Sequence, residues 1–186
     1  MTTANIITLI RLALIPLFVL FMELHSTAAQ VLALCIFALA SLTDHLDGHI
    51  ARKYNQVTDL GKILDPLADK MLVFSAFVLF VTRGLMHPIA LLLILAREFT
   101  ILSIRIVIAS SGKVVGAAFA GKLKTVLQIV AILCILFMPL PFMEPLISDA
   151  VYRLVSNILC WAVTAVTIWS GIEYCTNSLS LKNLKK

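Results

Sequence analysis

Charged side chains are scarce in this 186-residue sequence and make up only 13% of it. A soluble domain usually carries about 25% charged residues. Hydrophobic residues account for 61%, and the mean hydropathy is +1.02. This balance argues against an ordinary soluble protein and predicts a chain embedded in the lipid bilayer. Because Gly/Ser/Pro-rich linkers are also missing, residues 1–186 are predicted to form a single domain.

Cysteines are few, and none lies near another cysteine or a histidine at metal-binding spacing. The four cysteines are Cys35, Cys134, Cys160 and Cys175. Their separation excludes a zinc-finger or redox motif and indicates small buried hydrophobic residues. The net charge of +5 does not predict nucleic-acid binding, because the basic residues flank apolar runs and form no single patch. Orientation in the membrane and contact with anionic head groups explain them better.

Long apolar runs dominate the chain, and about 20 such residues are needed to cross a bilayer. Their lengths and the lack of period-two alternation favour helices over strands. The fold class predicted is therefore all-α: a polytopic membrane protein with six transmembrane helices. The predicted spans are residues 5–23, 31–52, 62–83, 88–110, 118–138 and 153–175.

The distribution of lysine and arginine predicts the orientation of these spans. Residues 24–30 and 139–150 contain neither residue type, whereas the connections at 52–62 and 111–122 contain several. Positive charge marks the cytoplasmic side of a membrane protein. Both termini and these two basic connections are therefore predicted to face the cytoplasm.

Four aspartates lie inside apolar runs, where ionised groups are costly and usually functional. Asp44 and Asp47 fall within about 100° of each other on the second predicted helix. Asp65 and Asp69 are spaced four apart on the third, and the short connection makes the two helices antiparallel neighbours. Both acidic stripes are thus predicted to face one polar cavity at the cytoplasmic membrane surface.

Converging carboxylates stay ionised together only if a cation neutralises them. Oxygen ligands favour Mg²⁺, with Mn²⁺ as an alternative, and we expect two ions that share bridging carboxylates. Helix capping is the alternative role for an acidic residue, and it suits Asp59 in the connection. His45 and His49 point about 100–140° away from Asp44 on the same helix, which disfavours a zinc pair.

Small residues and one arginine accompany the aspartates. Gly48, Ala51 and Gly61 share the acidic faces and leave room for a phosphate or nucleotide to approach the backbone. Arg52 can bind phosphate through a forked pair of donors. These residues predict a binding site for a phosphorylated substrate beside the metal site.

The complete pattern is Asp44-x2-Asp47-Gly48-x2-Ala51-Arg52-x8-Gly61-x3-Asp65-x3-Asp69. It resembles the signature of the CDP-alcohol phosphotransferases. This resemblance implies six transmembrane helices around a cytoplasm-facing polar cavity, a homodimer, and displacement of CMP from a CDP-linked lipid by an alcohol. It implies Asp44, Asp47 and Asp65 as metal ligands, and Asp69 as general base and second-ion ligand. The implied CDP-binding residues are Asp47, Gly48, Ala51, Arg52 and Gly61.

Basic residues downstream suggest which alcohol is used. Arg97 and Arg105 share a face of one apolar span, and with Lys122 they would suit an acceptor that carries its own phosphate. The runs Arg97-Glu98-Phe-Thr and Gly121-Lys-Leu-Lys-Thr125 resemble the phosphatidylglycerophosphate synthases within the family. The resemblance implies CDP-diacylglycerol and sn-glycerol 3-phosphate as substrates, phosphatidylglycerol phosphate and CMP as products, and a bacterial inner or plasma membrane location.

Several alternatives remain open at this stage. Glu98 could simply pair with a neighbouring arginine, and Lys122 and Lys124 could be surface charges that snorkel. Asn5, Thr8 and Lys124 are candidates for cavity lining. Asn5, Thr8 and Arg11 share part of a helical face, and a polar stripe that only packs against the second span explains these three residues as well. Within the family, the rival acceptors are an inositol phosphate and, in a cardiolipin synthase, phosphatidylglycerol. Outside it, the rivals are a membrane prenyltransferase and a cation transporter.

Overall fold

The computed structural model describes residues 3–24, 26–53, 59–110, 119–141, 143 and 146–183, with side chains at 8–24, 26–43, 68, 70–108, 120–141, 143 and 146–176. Within these ranges the chain is all-helical and contains no strand, as predicted. The helices are α1 (Thr3–Glu23), α2 (Thr27–Lys53), α3 (Asp59–Thr82), α4 (Pro88–Ser110), α5 (Phe119–Phe137) and α6 (Asp149–Asn183).

Each predicted span corresponds to one helix, but α1, α2, α3 and α6 begin two to four residues earlier than predicted, and α6 ends eight residues later. Ser26 caps α2, since its Oγ accepts a hydrogen bond from the backbone N–H of Ala29 at 3.2 Å. The α6 helix begins at Asp149, where a negative charge in the first turn interacts favourably with the helix dipole. Polar residues at the helix starts therefore extend the helices beyond the apolar runs.

Two helices are long and apolar enough to cross a membrane, among the residues whose side chains are described. They are Ala120–Phe137 in α5 and Asp149–Thr176 in α6. Shorter apolar helical stretches occupy Thr27–Thr43 and Lys70–Thr82. Together with the composition of the chain, these apolar helices indicate a membrane protein.

The helices associate as two groups of three. The α1 helix packs against α2 and α3, while α6 packs against α4 and α5. Contacts of α5 with α2 and α3 join the groups, and α2 and α3 also touch each other. The core between them contains fully buried Phe18, Phe37, Phe77, Phe80 and Ile132. The helix that carries Asp44 and Asp47 is therefore in contact with the helix that carries Asp65 and Asp69.

Gly84 terminates α3 in a Schellman motif. Its φ of +69° lies in the left-handed region, which glycine adopts without the steric cost of a side chain. The N–H of Leu85 bonds the Phe80 carbonyl at 2.8 Å, and the N–H of Gly84 bonds the Val81 carbonyl at 3.0 Å. Leu85 and Phe80 are both buried in the core, which is the hydrophobic contact that usually accompanies this motif. The sharp stop directs the chain into α4.

Candidate active site

The four aspartates occupy helical backbone, but their side chains lie outside the described residues. Positions 44 and 47 belong to α2, and positions 65 and 69 belong to α3. The candidates for CDP binding also belong to these helices, and their side chains are likewise outside the described residues. They are Gly48, Ala51 and Arg52 on α2 and Gly61 on α3. The roles given to these residues therefore stay predictions. Among the side chains that are described, no group of three or more His, Cys, Asp or Glu residues could hold a metal ion.

The described parts of α2 and α3 show which helical faces run toward the core. On α2, Ala33, Phe37 and Ala40 are fully buried at helical spacing. Position 44 comes one turn after Ala40 along this stripe. On α3, Leu72 and Val73 are buried, one turn after position 69. The helical period therefore predicts that positions 44 and 69 continue the buried stripes of their helices.

A cluster of ionised side chains lies between the helices, centred on Glu98 of α4. The side chain of Glu98 is only 4% exposed and pairs with three cations. Its Oε1 accepts a hydrogen bond from Arg97 Nη1 at 2.8 Å. Glu98 also forms ion pairs with Lys70 of α3 through Oε2 and with Lys124 of α5 through Oε1. We call these four residues, Lys70, Arg97, Glu98 and Lys124, the Glu98 cluster.

Arg97 extends from α4 to α6, where Ser170 binds its guanidinium and Gly171 leaves room for its side chain. Its Nη2 donates a hydrogen bond to Ser170 Oγ at 2.9 Å, and Ser170 Oγ donates in turn to the Thr167 carbonyl at 2.9 Å. A Cβ at position 171 would lie 2.9 Å from Arg97 Cγ, which is closer than real Cβ contacts. Gly171 is therefore needed for the Arg97 side chain to lie against α6.

Buried polar groups continue along the faces of α5 and α6 that adjoin this cluster. Gln128 lies one turn after Lys124 and is 4% exposed, and Thr167 is fully buried. Gln128 Nε2, Thr167 Oγ1 and Tyr174 Oη are buried with no hydrogen-bond partner among the described residues. Arg105 stacks on the Tyr174 ring with its Cζ 5.3 Å from the ring centroid. Polar groups without partners are costly in an interior, so this region is suited to a polar ligand.

The residues predicted to bind the acceptor lie in different environments in the structure. Arg97 and Arg105 both lie on α4 and both reach α6, consistent with the shared face seen in their spacing. Lys122 is exposed on α5, whereas Lys124 is buried at 6% exposure and joins Arg97 at Glu98. The alternative that Glu98 pairs with a neighbouring arginine is seen in the structure. Phosphate binding by Arg97, Arg105 and Lys122 stays a prediction.

Sequence reasoning did not assign roles to Lys70, Ser170 and Gly171. For Lys70 a signal existed, because a lysine directly after Asp69 inside an apolar run is costly without a partner. Ser170 and Gly171 carry no comparable signal, since small residues occur throughout the interfaces of membrane helices. Of the residues proposed to line the cavity, Thr8 is 1% exposed, while the Asn5 side chain is outside the described residues. Their role stays a prediction.

The fold and the charged cluster define an all-helical membrane protein with ionised groups held between its helices. The chain belongs to the CDP-alcohol phosphatidyltransferase family, whose model matches residues 1–169. The family resemblance expected from the aspartate pattern is thereby confirmed.

Relatives similar to this chain over most of its length carry closely related names. A CDP-diacylglycerol--glycerol-3-phosphate 3-phosphatidyltransferase of Bacillus subtilis (strain 168) is 37% identical over 182 residues, with 91% of each chain covered. The protein of the same name from Rickettsia bellii (strain RML369-C) is 39% identical over 171 residues, also with 91% of each chain covered. A probable phosphatidylglycerophosphate synthase of Mycobacterium tuberculosis (strain H37Rv) is 38% identical over 179 residues, covering 95% of this chain and 81% of its own.

Proposed function

We propose that this protein transfers the phosphatidyl group of CDP-diacylglycerol to sn-glycerol 3-phosphate, giving phosphatidylglycerol phosphate and CMP. The observation that carries this proposal is similarity to relatives of that name at 37–39% identity across 91% of the chain. Family membership over residues 1–169 and the predicted signature support the same chemistry. The cations of the Glu98 cluster agree with an acceptor that carries a phosphate.

The proposal extends to the setting of the reaction. Six transmembrane helices would surround a polar cavity open to the cytoplasm, in a homodimer located in a bacterial inner or plasma membrane. The alternation of basic and uncharged connections supports this orientation, with both termini in the cytoplasm. Access from the cytoplasm suits a water-soluble acceptor, while the apolar helices suit a lipid donor.

The donor set on α2 and α3 fits a pair of divalent cations. Four carboxylates on two contacting helices offer hard oxygen ligands and no sulfur, which favours Mg²⁺ or Mn²⁺ held by Asp44, Asp47, Asp65 and Asp69. Bound there, the cations would neutralise charge on the diphosphate and stabilise the leaving group. Asp47, Gly48, Ala51, Arg52 and Gly61 would hold the CDP moiety beside them.

The aspartates would also supply the proton transfer. Asp69 accepts the proton of the acceptor's free hydroxyl, and the hydroxyl oxygen attacks the lipid-side phosphorus of CDP-diacylglycerol. The bond from that phosphorus to the bridging oxygen breaks, and the electron pair leaves with CMP. Arg97, Arg105 and Lys122 would hold the acceptor phosphate, which orients the hydroxyl for an in-line attack.

An acceptor-substitution assay tests this function. Purified protein in detergent receives radiolabelled CDP-diacylglycerol and Mg²⁺, with sn-glycerol 3-phosphate, an inositol phosphate or phosphatidylglycerol in separate reactions. We expect phosphatidylglycerol phosphate and an equal amount of CMP only with sn-glycerol 3-phosphate. Product from another acceptor alone would contradict the acceptor assignment. In a separate reaction with a prenyl diphosphate, release of pyrophosphate would indicate a prenyltransferase. In sealed proteoliposomes, metal flux from a protein that releases no CMP would indicate a transporter.

Replacement of the exposed Arg105 by alanine tests whether this side chain binds the acceptor phosphate. The Arg105 guanidinium is fixed over the Tyr174 ring, which orients a charge at an accessible position. We expect Arg105→Ala to raise the KM for sn-glycerol 3-phosphate by about 10- to 100-fold, and the KM for CDP-diacylglycerol by less than about twofold. Arg153→Ala is the matched control, because Arg153 lies near Gly84 at the α3–α4 turn. Equal effects on both KM values would contradict the role of Arg105.

A further inference from the structure

Glu98 has an unusual position for a carboxylate in an apolar protein, since it contacts cations from three helices. Its partners are Lys70 of α3, Arg97 of α4 and Lys124 of α5. Among the described residues, the cluster contains three cations and one carboxylate, so its own net charge is +2. Ionised groups at such depth are costly, and they are usually found at functional sites.

The surplus charge matches one chemical class of ligand. A phosphate monoester carries close to two negative charges at neutral pH, since its second pKa is about 6. A phosphodiester carries only one. The charge of the Glu98 cluster therefore suits an acceptor that bears a terminal phosphate, in agreement with the proposed function.

The geometry indicates that Glu98 and α6 act together on Arg97. Glu98 accepts a hydrogen bond from Nη1, Ser170 accepts one from Nη2, and Gly171 leaves room for the stem. Arginine binds phosphate best when its planar fork is already oriented, because less side-chain entropy is lost. Two contacts at the two terminal nitrogens fix the plane of the Arg97 guanidinium.

We propose that Glu98 is a positioning residue for the acceptor site. As the shared counter-ion of Lys70, Arg97 and Lys124, it holds these cations in one cluster whose surplus charge binds the phosphate monoester of the acceptor. In this arrangement Lys124 is the α5 lysine that shares Glu98 with Arg97, while the exposed Lys122 lies outside the cluster. The inference rests on the proposed function for the identity of the acceptor.

Two other roles for Glu98 give different results. If it only balanced charge, its neutralisation would strengthen attraction to a phosphate and lower the acceptor KM. If it only joined α3, α4 and α5, its loss would reduce the amount of folded protein without a selective change in either KM. A positioning role instead raises the acceptor KM selectively, because the lysines repel each other and separate once the carboxylate is gone.

The test compares Glu98→Gln, which removes the charge but keeps the shape, with Glu98→Asp, which keeps the charge but shortens the reach. For Glu98→Gln we expect an acceptor KM at least about tenfold higher, with the KM for CDP-diacylglycerol changed by less than about twofold. Glu98→Asp is expected to give an intermediate acceptor KM, because one short carboxylate cannot reach all three cations. An unchanged or lowered acceptor KM in Glu98→Gln, or a parallel rise in both KM values, would overturn the proposal.

Ser170→Ala keeps the proposal testable if the Glu98 variants do not fold. It removes one anchor of Arg97 without a change of charge, and we expect an acceptor KM about two- to fivefold higher. Ser156→Ala is the matched control, since Ser156 is also buried on α6 but lies about 21 Å along the helix axis from Ser170. Equal KM values in the two serine variants would overturn the proposal. Wild-type protein that makes no product from sn-glycerol 3-phosphate would instead overturn the proposed function.

Discussion

Asp69→Asn is expected to lower kcat by about 10²- to 10⁴-fold, the usual contribution of a general base. Asparagine keeps the size and shape of the side chain but cannot accept the proton of the acceptor hydroxyl. The fold should persist, because the buried neighbours Ala68 and Leu72 are unchanged and position 69 stays within α3. CMP release under saturating concentrations of both substrates measures the effect, and equilibrium binding of CDP-diacylglycerol should stay close to that of the wild type.

Asp59→Asn provides the matched control for this substitution. Asp59 is the first residue of α3, the same helix that carries Asp69, and its predicted role is to cap that helix. Asparagine caps a helix about as well as aspartate, so we expect activity within about twofold of the wild type. Turnover of Asp69→Asn close to the wild-type value would show that the hydroxyl proton goes elsewhere.

The helices were predictable from sequence because their cause is local. An apolar run of about 20 residues satisfies its backbone hydrogen bonds only as a helix when it lies in lipid. The predicted starts were less accurate, since Ser26 and Asp149 lie outside the apolar runs and act through capping and the helix dipole. Hydropathy alone does not register these effects.

The partners of Glu98 were not predictable in the same way, because they depend on which helices lie opposite α4. Spacing identifies the face of a helix but not its neighbour. Lys70 and Ser170 come from helices that are distant in sequence, and they meet Glu98 and Arg97 only through packing. A sequence motif contains no information about such a contact unless both partners fall within it.

The choice between Lys122 and Lys124 was nevertheless open to a sequence argument. Two residues apart, these lysines lie about 200° apart around the helix, so only one can face the core. Lys124 is followed at helical spacing by Gln128, Ile132 and Ile135, all of them buried. This stripe marks the buried face of α5 and contains Lys124. The run Gly121-Lys-Leu-Lys-Thr125 resembles the phosphatidylglycerophosphate synthases, but this resemblance alone does not indicate which of the two lysines faces the core.

Removal of divalent metal is expected to abolish turnover, with a loss of at least about 100-fold in chelator-treated enzyme. The carboxylates at positions 44, 47, 65 and 69 belong to two helices that touch, within a strongly apolar chain. Without cations they would repel each other and would also repel the diphosphate of the substrate. Dialysis against EDTA followed by measurement of CMP release tests this expectation. Addition of excess Mg²⁺ should restore the rate, and full turnover in the presence of the chelator would contradict a metal-dependent reaction.

The two large effects can be separated by a metal titration of Asp69→Asn. If Asp69 acts chiefly as the base, the small residual turnover should still depend on Mg²⁺, with half-activation near the wild-type concentration. If it acts chiefly as a ligand, half-activation should need about tenfold more metal or greater, because one oxygen donor is lost from a cation that has few protein ligands. Asp44→Asn supplies the comparison, since position 44 is predicted to act only as a metal ligand and the half-activating metal concentration of this variant should rise. The difference between these two titrations assigns the proton transfer and the metal binding to separate carboxylates.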